Sequence, residues 1–220
     1  MASVSKSSYR IILGLFRCHH HKTLVTLPCS NRHYTQSNKI QTIQQARESL
    51  KELVGARLVW RPDVQDETKE TNIITSQSDL PIRTMSDSYS EAIIPVGTDE
   101  VLREKYINFS GGIRFGRILE DLDTFGVLIS YLHSTQGTEK RSPISIVTAL
   151  VDRIELGDHR ISPNKDIKMK GNVTWAGSTS MEVTMNLEQE SDSVWKHLLK
   201  AKFVMVARNP VTKKQCSGSL

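Results

Sequence analysis

A chain of 220 residues with 38% apolar and 6% aromatic content can bury one modest core with extensions, or two small ones. Its net charge of +5 suggests an acidic partner, yet Lys6, Arg10, Arg17, Lys22 and Arg32 all precede Thr35, in a stretch with no Asp or Glu. Subtracting these five from 29 basic residues leaves 24, equal to the 24 acidic ones, so the remainder is neutral and nucleic-acid binding loses its support.

Residues 1–34 are basic, rich in Ser and Thr, and free of acids; Tyr9, Ile11, Ile12, Leu15 and Phe16 form an apolar face beside Arg10 and Arg17. That is the composition of a mitochondrial transit peptide, which predicts delivery to the matrix and processing near Tyr34. Cys18 and Cys29 leave with the leader, and Cys216 alone remains, so no internal disulfide forms afterwards. The run Cys18-His19-His20-His21 has no fold to hold ligands, and no metal is expected. No window of ~20 apolar residues exists, so no integral membrane segment is expected.

Residues 35–84 read as a helical and irregular extension. Within it, residues 40–55 place Ile43, Ala46, Leu50 and Leu53 on one helical face, ending at Gly55. Residues 61–90 are polar and broken by Pro62 and Pro81. The domain proper is expected over 85–208. EAIIPVG (91–97) is a short edge strand, and FGRILEDLDTFGVLISYLH (115–133) repeats apolar residues at three-and-four spacing, a long helix with one buried face. Four β-type runs follow, over 144–156, 166–176, 180–190 and 197–208, with turns at ISPNK, AGSTS and ESDS. Residues 209–220 carry no core-forming pattern and read as a disordered tail. The order strand, helix, antiparallel meander predicts an α+β fold. One helix cannot cover both faces of such a sheet, so the domain is expected to pair with another.

The motifs RFGRILEDLDTFGVLISYLH, PISIVTALVDRIEL, VTWAGSTSMEV and FVMVARNP resemble the mitochondrial acyl-coenzyme A thioesterases of the double-hotdog type, of which this chain matches the first half. The resemblance implies a single hotdog domain, a long central helix wrapped by a curved antiparallel sheet. It implies hydrolysis of acyl-CoA to free fatty acid and coenzyme A, with no cofactor and no metal, at a site between two hotdogs. The expected partners are acyl-CoA and either a second copy or another hotdog.

Carried over by motif, Asp123 matches the family's helix acid, the general base for water. On the helical wheel it shares a face with Leu119, Gly126, Val127 and Ser130, and Gly126 with Ser130 leaves room for substrate. Asp121 and Glu120 fall elsewhere and are expected at the surface, Glu120 pairing with Arg117 or Arg114. Gly111, Gly112, Arg114, Phe115 and Gly116 resemble the helix-entry segment that receives the thioester, and Arg114 and Arg117 are candidates for the coenzyme A phosphates. Ser178, Thr179 and Ser180 read as a polar hairpin turn. Where catalytic relatives carry an Asn ahead of the helix, this chain has Gly111-Gly112-Ile113, and Asn108 is not assigned that role. A hotdog dehydratase needs a His beside the acid, and His133 lies ten positions from Asp123. The missing Asn leaves a second expectation beside hydrolysis: a non-catalytic half-module that binds acyl-CoA or pairs with a full-length relative.

Overall fold

The computed structural model of the chain describes residues 41–54, 82–135, 142 and 144–209. The expected transit peptide lies outside the described residues, as do 55–81 and, apart from Asn209, the tail.

The described residues form one six-stranded mixed sheet and three α-helices, with a 3₁₀ turn at Met85–Ser88. In chain order these are β1 (Gln41–Thr42), α1 (Ile43–Val54), β2 (Ser90–Ile94), α2 (Glu100–Arg103), α3 (Phe115–Ser134), β3 (Ser145–Leu156), β4 (Ile167–Ala176), β5 (Ser180–Ser191) and β6 (Val194–Arg208). The strands lie in the order β1-β2-β4-β5-β6-β3. β1 runs parallel to β2, and every other pairing is antiparallel.

The meander expected from the sequence holds only for β4, β5 and β6; β3 lies beside β6 at the far edge. The cause is α3, which packs across β4, β5 and β6 and carries the chain from one side of the sheet to the other. At its end the buried Tyr131 hydroxyl accepts the Ile146 N–H at 3.0 Å, which pins the start of β3 there.

α3 is long because its apolar positions recur at helical spacing and nothing in it breaks the backbone ladder. Ile118, Leu122, Phe125, Leu128 and Ile129 are almost wholly buried, against the inner faces of β4, β5 and β6. Burying each such side chain stabilises the fold by about 1.5–3 kcal/mol before entropy is counted. Ser130, buried among them, satisfies its hydroxyl by donating to the Gly126 carbonyl one turn back, at 2.8 Å. Helix and sheet approach closely at Gly171 of β4, where a Cβ would lie 2.8 Å from the Thr184 carbonyl oxygen and 3.0 Å from Ile129 Cδ1. A side chain there has no room.

β4 alternates buried and half-buried residues along most of its length, as a strand with one covered face must. Its outward lysine Lys170 pairs with Glu188 at 2.5 Å, and Lys202 of β6 pairs with Glu182 at 3.0 Å. The outer face of the sheet thus carries paired, half-buried charges at these positions. The β5–β6 turn puts Asp192 and Ser193 at φ 56° and 60°, the two left-handed residues that a tight hairpin requires.

The N-terminal helix α1 opens with a reciprocal cap. The Thr42 hydroxyl accepts the Gln45 N–H at 3.2 Å, and the Gln45 side chain accepts the Thr42 N–H at 2.8 Å. α1 buries Ile43 and Ala46 and packs against α3. Residues 41–54 are thus built into the sheet and core.

β3 differs from the other long strands. Its register against β6 shifts between Thr148 and Leu150 and again between Val151 and Arg153, leaving Ala149 and Asp152 as extra residues. Its outer edge is unpaired among the described residues. Leu150, Val151 and Leu156 are 50%, 47% and 71% exposed.

Candidate active site

Asp123 is exposed on the flank of α3 that faces β3. Its Oδ1 accepts the Thr148 hydroxyl at 2.5 Å. Thr148 in turn lies 3.3 Å from Met205 Sδ, so the carboxylate stands at the margin of the core, where α3 meets the unpaired edge strand. The structure brings no second carboxylate or imidazole to it among the described ion pairs and hydrogen bonds.

The space expected beside it at Gly126 is filled. A Cβ on Gly126 would lie 2.7 Å from Met205 Cε and 3.2 Å from Met185 Cε, and both Gly126 and Ser130 are buried. The absence of a side chain at Gly126 lets the helix sit down on β5 and β6.

The helix-entry segment divides into two parts with different chemistry. Residues 107–113 form a tight loop closed by a bridge between Ile107 and Ile113. Asn108 organises it: its Oδ1 accepts the N–H groups of Ser110 and Gly112, each at 3.0 Å, and the Ser110 hydroxyl at 2.8 Å. Gly111 adopts φ 78° and donates its N–H to the Asn108 carbonyl at 3.0 Å. The amides of Gly111 and Gly112 are thus already engaged inside the loop.

The first helical residues differ. Arg114 caps α3 without a side-chain hydrogen bond to the helix, and its N–H donates to the Tyr106 carbonyl at 2.6 Å. Among the described residues the amides of Phe115 and Gly116 have no partner, and nothing lies within 4 Å of where a Gly116 Cβ would be. No acid occupies the first turn. Two free N–H groups at the positive end of a 20-residue helix attract a negatively polarised oxygen.

The arginines of this segment are engaged. Arg114 donates to the Lys105 carbonyl. Arg117 pairs with Glu120 on the next turn, and its guanidinium carbon lies 5.8 Å from the centroid of the Tyr106 ring. Ser178 and Thr179 occupy the β4–β5 turn, which Gly177 closes by donating its N–H to the Ser180 carbonyl at 2.7 Å.

Asp121 corrects the sequence reading. Expected at the surface, it is fully buried, and Tyr106 and Arg47 both donate to it, the former at 2.6 Å. Burial raises its pKa, against the pull of the Tyr106 hydroxyl and the Arg47 charge. The Tyr106 hydroxyl is pushed up as well, by burial first and by the Asp121 carboxylate second. The signal was present in the spacing: Asp121 stands three residues after Ile118 and four before Phe125, on the apolar stripe itself.

The cleft of about 430 Å³ lined by Thr84, Met85, Ser86, Tyr89 and Asn172 contains none of these groups. Among the described residues no set of three or more His, Cys, Asp or Glu is placed to hold a metal ion. No helix of the described residues is long and apolar enough to cross a membrane.

Comparison with known proteins finds similar ones. The mouse mitochondrial acyl-coenzyme A thioesterase 9 is 48% identical over 176 residues, and its human counterpart 47% over 175. This chain is a relative of the mitochondrial acyl-coenzyme A thioesterases. Each match covers 78% of the chain but 40% of the relative, so the chain spans about two fifths of the length of these proteins. A chloroplastic acyl-coenzyme A thioesterase 2 of Humulus lupulus is 35% identical over 142 residues, covering 63% of the chain and 32% of that protein. No protein-family model matches the chain. Among solved structures, an acyl-CoA hydrolase of Staphylococcus aureus, determined with butyryl coenzyme A, superposes with a TM-score of 0.51 at 18% identity, covering 62% of this chain and 75% of that one. That likeness concerns the fold, a hotdog-type α+β arrangement.

Proposed function

We propose that the chain is a single hotdog module of a mitochondrial acyl-CoA thioesterase, acting in the matrix with Asp123 as general base. The observation that carries this reading is the placement of Asp123, an exposed carboxylate at the seam between α3 and the unpaired β3 edge. A site at such a seam is half a site. Along α3, Asp123 lies eight residues from Phe115 and seven from Gly116, whose amides have no partner among the described residues, a separation of about 10–12 Å at the α-helical rise. One thioester carbonyl cannot meet both on the same helix. A second hotdog docked along β3 supplies the other half, with its helix start facing Asp123, or its acid facing Phe115 and Gly116.

The chemistry follows from these groups. Asp123 takes a proton from water as the water oxygen attacks the thioester carbon. The carbonyl oxygen gains negative charge and is held by the helix-start amides, whose fixed dipoles need no reorganisation. Collapse of the tetrahedral intermediate breaks the carbon–sulfur bond, and the departing thiolate takes the proton from Asp123. Water and acyl-CoA become carboxylic acid and free thiol, with nothing left over. Phe115 and Gly116 receive the thioester, and Gly111 and Gly112 shape the loop beside it. Arg114 and Arg117 flank the helix start and contribute positive potential toward the coenzyme A phosphates.

The test is thiol release from a panel of acyl-CoA thioesters by the whole chain and by Asp123→Asn, with molecular size measured on the same samples. The expected result is hydrolysis by an assembled species and a loss of about 10²–10⁴-fold in the variant, the range for a positioned general base. Folded protein that releases no thiol overturns the reading and leaves the non-catalytic binding module; activity untouched by the substitution removes Asp123 from it.

A further inference from the structure

The buried carboxylate of Asp121 takes no part in the chemistry above, yet it sits in the apolar stripe of the same helix. Removing a carboxylate from water costs several kcal/mol unless it is well partnered. Asp121 is fully buried, and each of its oxygens has one donor: Oδ1 takes Arg47 Nη2, and Oδ2 takes the Tyr106 hydroxyl. The two donors come from different parts of the fold. Arg47 belongs to α1, 74 positions earlier in the chain, and Tyr106 stands at the root of the helix-entry loop.

Tyr106 has two further duties. It is 1% exposed, and its carbonyl accepts the Arg114 N–H at 2.6 Å, which closes the base of the loop and sets where Phe115 and Gly116 begin the helix. Its ring also carries the Arg117 guanidinium. One tyrosine thus joins the Asp121 carboxylate to the backbone that presents the free amides, and one arginine joins the same carboxylate to α1. A two-donor arrangement of this kind is rigid, because loss of either donor leaves a buried carboxylate oxygen without a hydrogen bond in a low-dielectric interior.

We propose that Asp121 is a positioning residue: through Tyr106 it fixes the loop 107–113 and the helix-start amides, and through Arg47 it makes that geometry depend on docking of α1. α1 then belongs to the working site through Arg47. The catalytic consequence rests on the thioesterase reading; the structural coupling does not.

The experiment is amide hydrogen exchange on the whole chain, comparing Arg47→Met, Tyr106→Phe and, as a control for general loss of stability, Leu187→Ala in β5. The amides of Asn108, Gly111, Gly112 and Arg114 report on the loop, and those of Val183 and Met185 on the sheet. The expected result is loop exchange faster by tenfold or more in Arg47→Met and Tyr106→Phe, beyond any change in the sheet, whereas Leu187→Ala does not single out the loop. Loop exchange in Arg47→Met that is unchanged, or raised only as much as the sheet, overturns the proposal. On acyl-CoA, the same two variants are expected to lose kcat with little change in KM. Absence of hydrolysis in the unmodified chain would count against the thioesterase reading alone, and the exchange result would still decide the coupling.

Discussion

Adding one methyl group at each of two glycines separates packing from substrate room at the centre of the molecule. At Gly171 the new carbon would meet the Thr184 carbonyl oxygen at 2.8 Å, Met185 Cγ at 2.9 Å and Ile129 Cδ1 at 3.0 Å. The nearest of these is backbone of the adjacent strand, which cannot rotate away. Overpacking of this kind costs about 1–3 kcal/mol, and the entropy lost by the unfolded chain returns only about 0.4–1 of it. At Gly126 the nearest atoms are the terminal methyls of Met205 and Met185, at 2.7 and 3.2 Å, the movable ends of flexible side chains. Alanine also improves the helix by about 0.8–1 kcal/mol over glycine. Gly171→Ala is therefore expected to lose about 1–2 kcal/mol net, and Gly126→Ala to fall within about 1 kcal/mol of the parent. In thermal denaturation, with about 2–4 °C per kcal/mol for a chain of this size, Gly171→Ala melts several degrees lower and Gly126→Ala close to the parent. The reverse order would refute this account. So would a Gly126→Ala variant that folds normally but loses acyl-CoA affinity, which would restore the substrate role expected from the sequence.

Two further outcomes are expected. Burial, and then the Arg83 charge, lower the pKa of His133, with Asp87 opposing. The neutral form thus contributes stability that is fully present above the unfolded value of about 6.5 and lost as pH falls through the folded pKa; His133→Asn should flatten the loss measured between about pH 7.5 and 5, and parallel curves would refute the assignment. Leu150→Lys with Val151→Lys places charge on the open β3 edge, which opposes strand pairing; sedimentation should show the assembled species giving way to monomer together with loss of thiol release, and a parent chain that is already monomeric would dismiss β3 as a contact between copies.

The elements were legible where the pattern is local. The helix over 115–133 ends within a residue of its expected position because its periodicity is complete, and ESDS became the β5–β6 turn because it interrupts two alternating runs. The position of β3 was not legible, since strand order is decided by where α3 delivers the chain, and no local pattern records that. Asp121 was misread because its partners are distant in sequence: a wheel shows which residues share a face, not that Arg47 and Tyr106 will be there to neutralise one of them. At Gly126 the wheel places a gap beside Asp123. Only the packed sheet shows that methionines fill the gap.

The two extra residues of β3 bear on which length changes the strand tolerates. Twelve residues of β3 lie opposite Leu199–Arg208 of β6, with Ala149 and Asp152 unmatched. In each bulge the extra residue is taken up between matched pairs, so Val151 still stands opposite Phe203 and Ile154 opposite Ala201. Loss of Ala149 alone should therefore leave Thr148, Leu150 and Val151 as an unbroken ladder against Met205, Val204 and Phe203, and loss of Asp152 should do the same for Val151, Arg153 and Ile154. Length variation in this strand is then expected one residue at a time at these two places, each loss straightening the edge while the inward side chains stay inward.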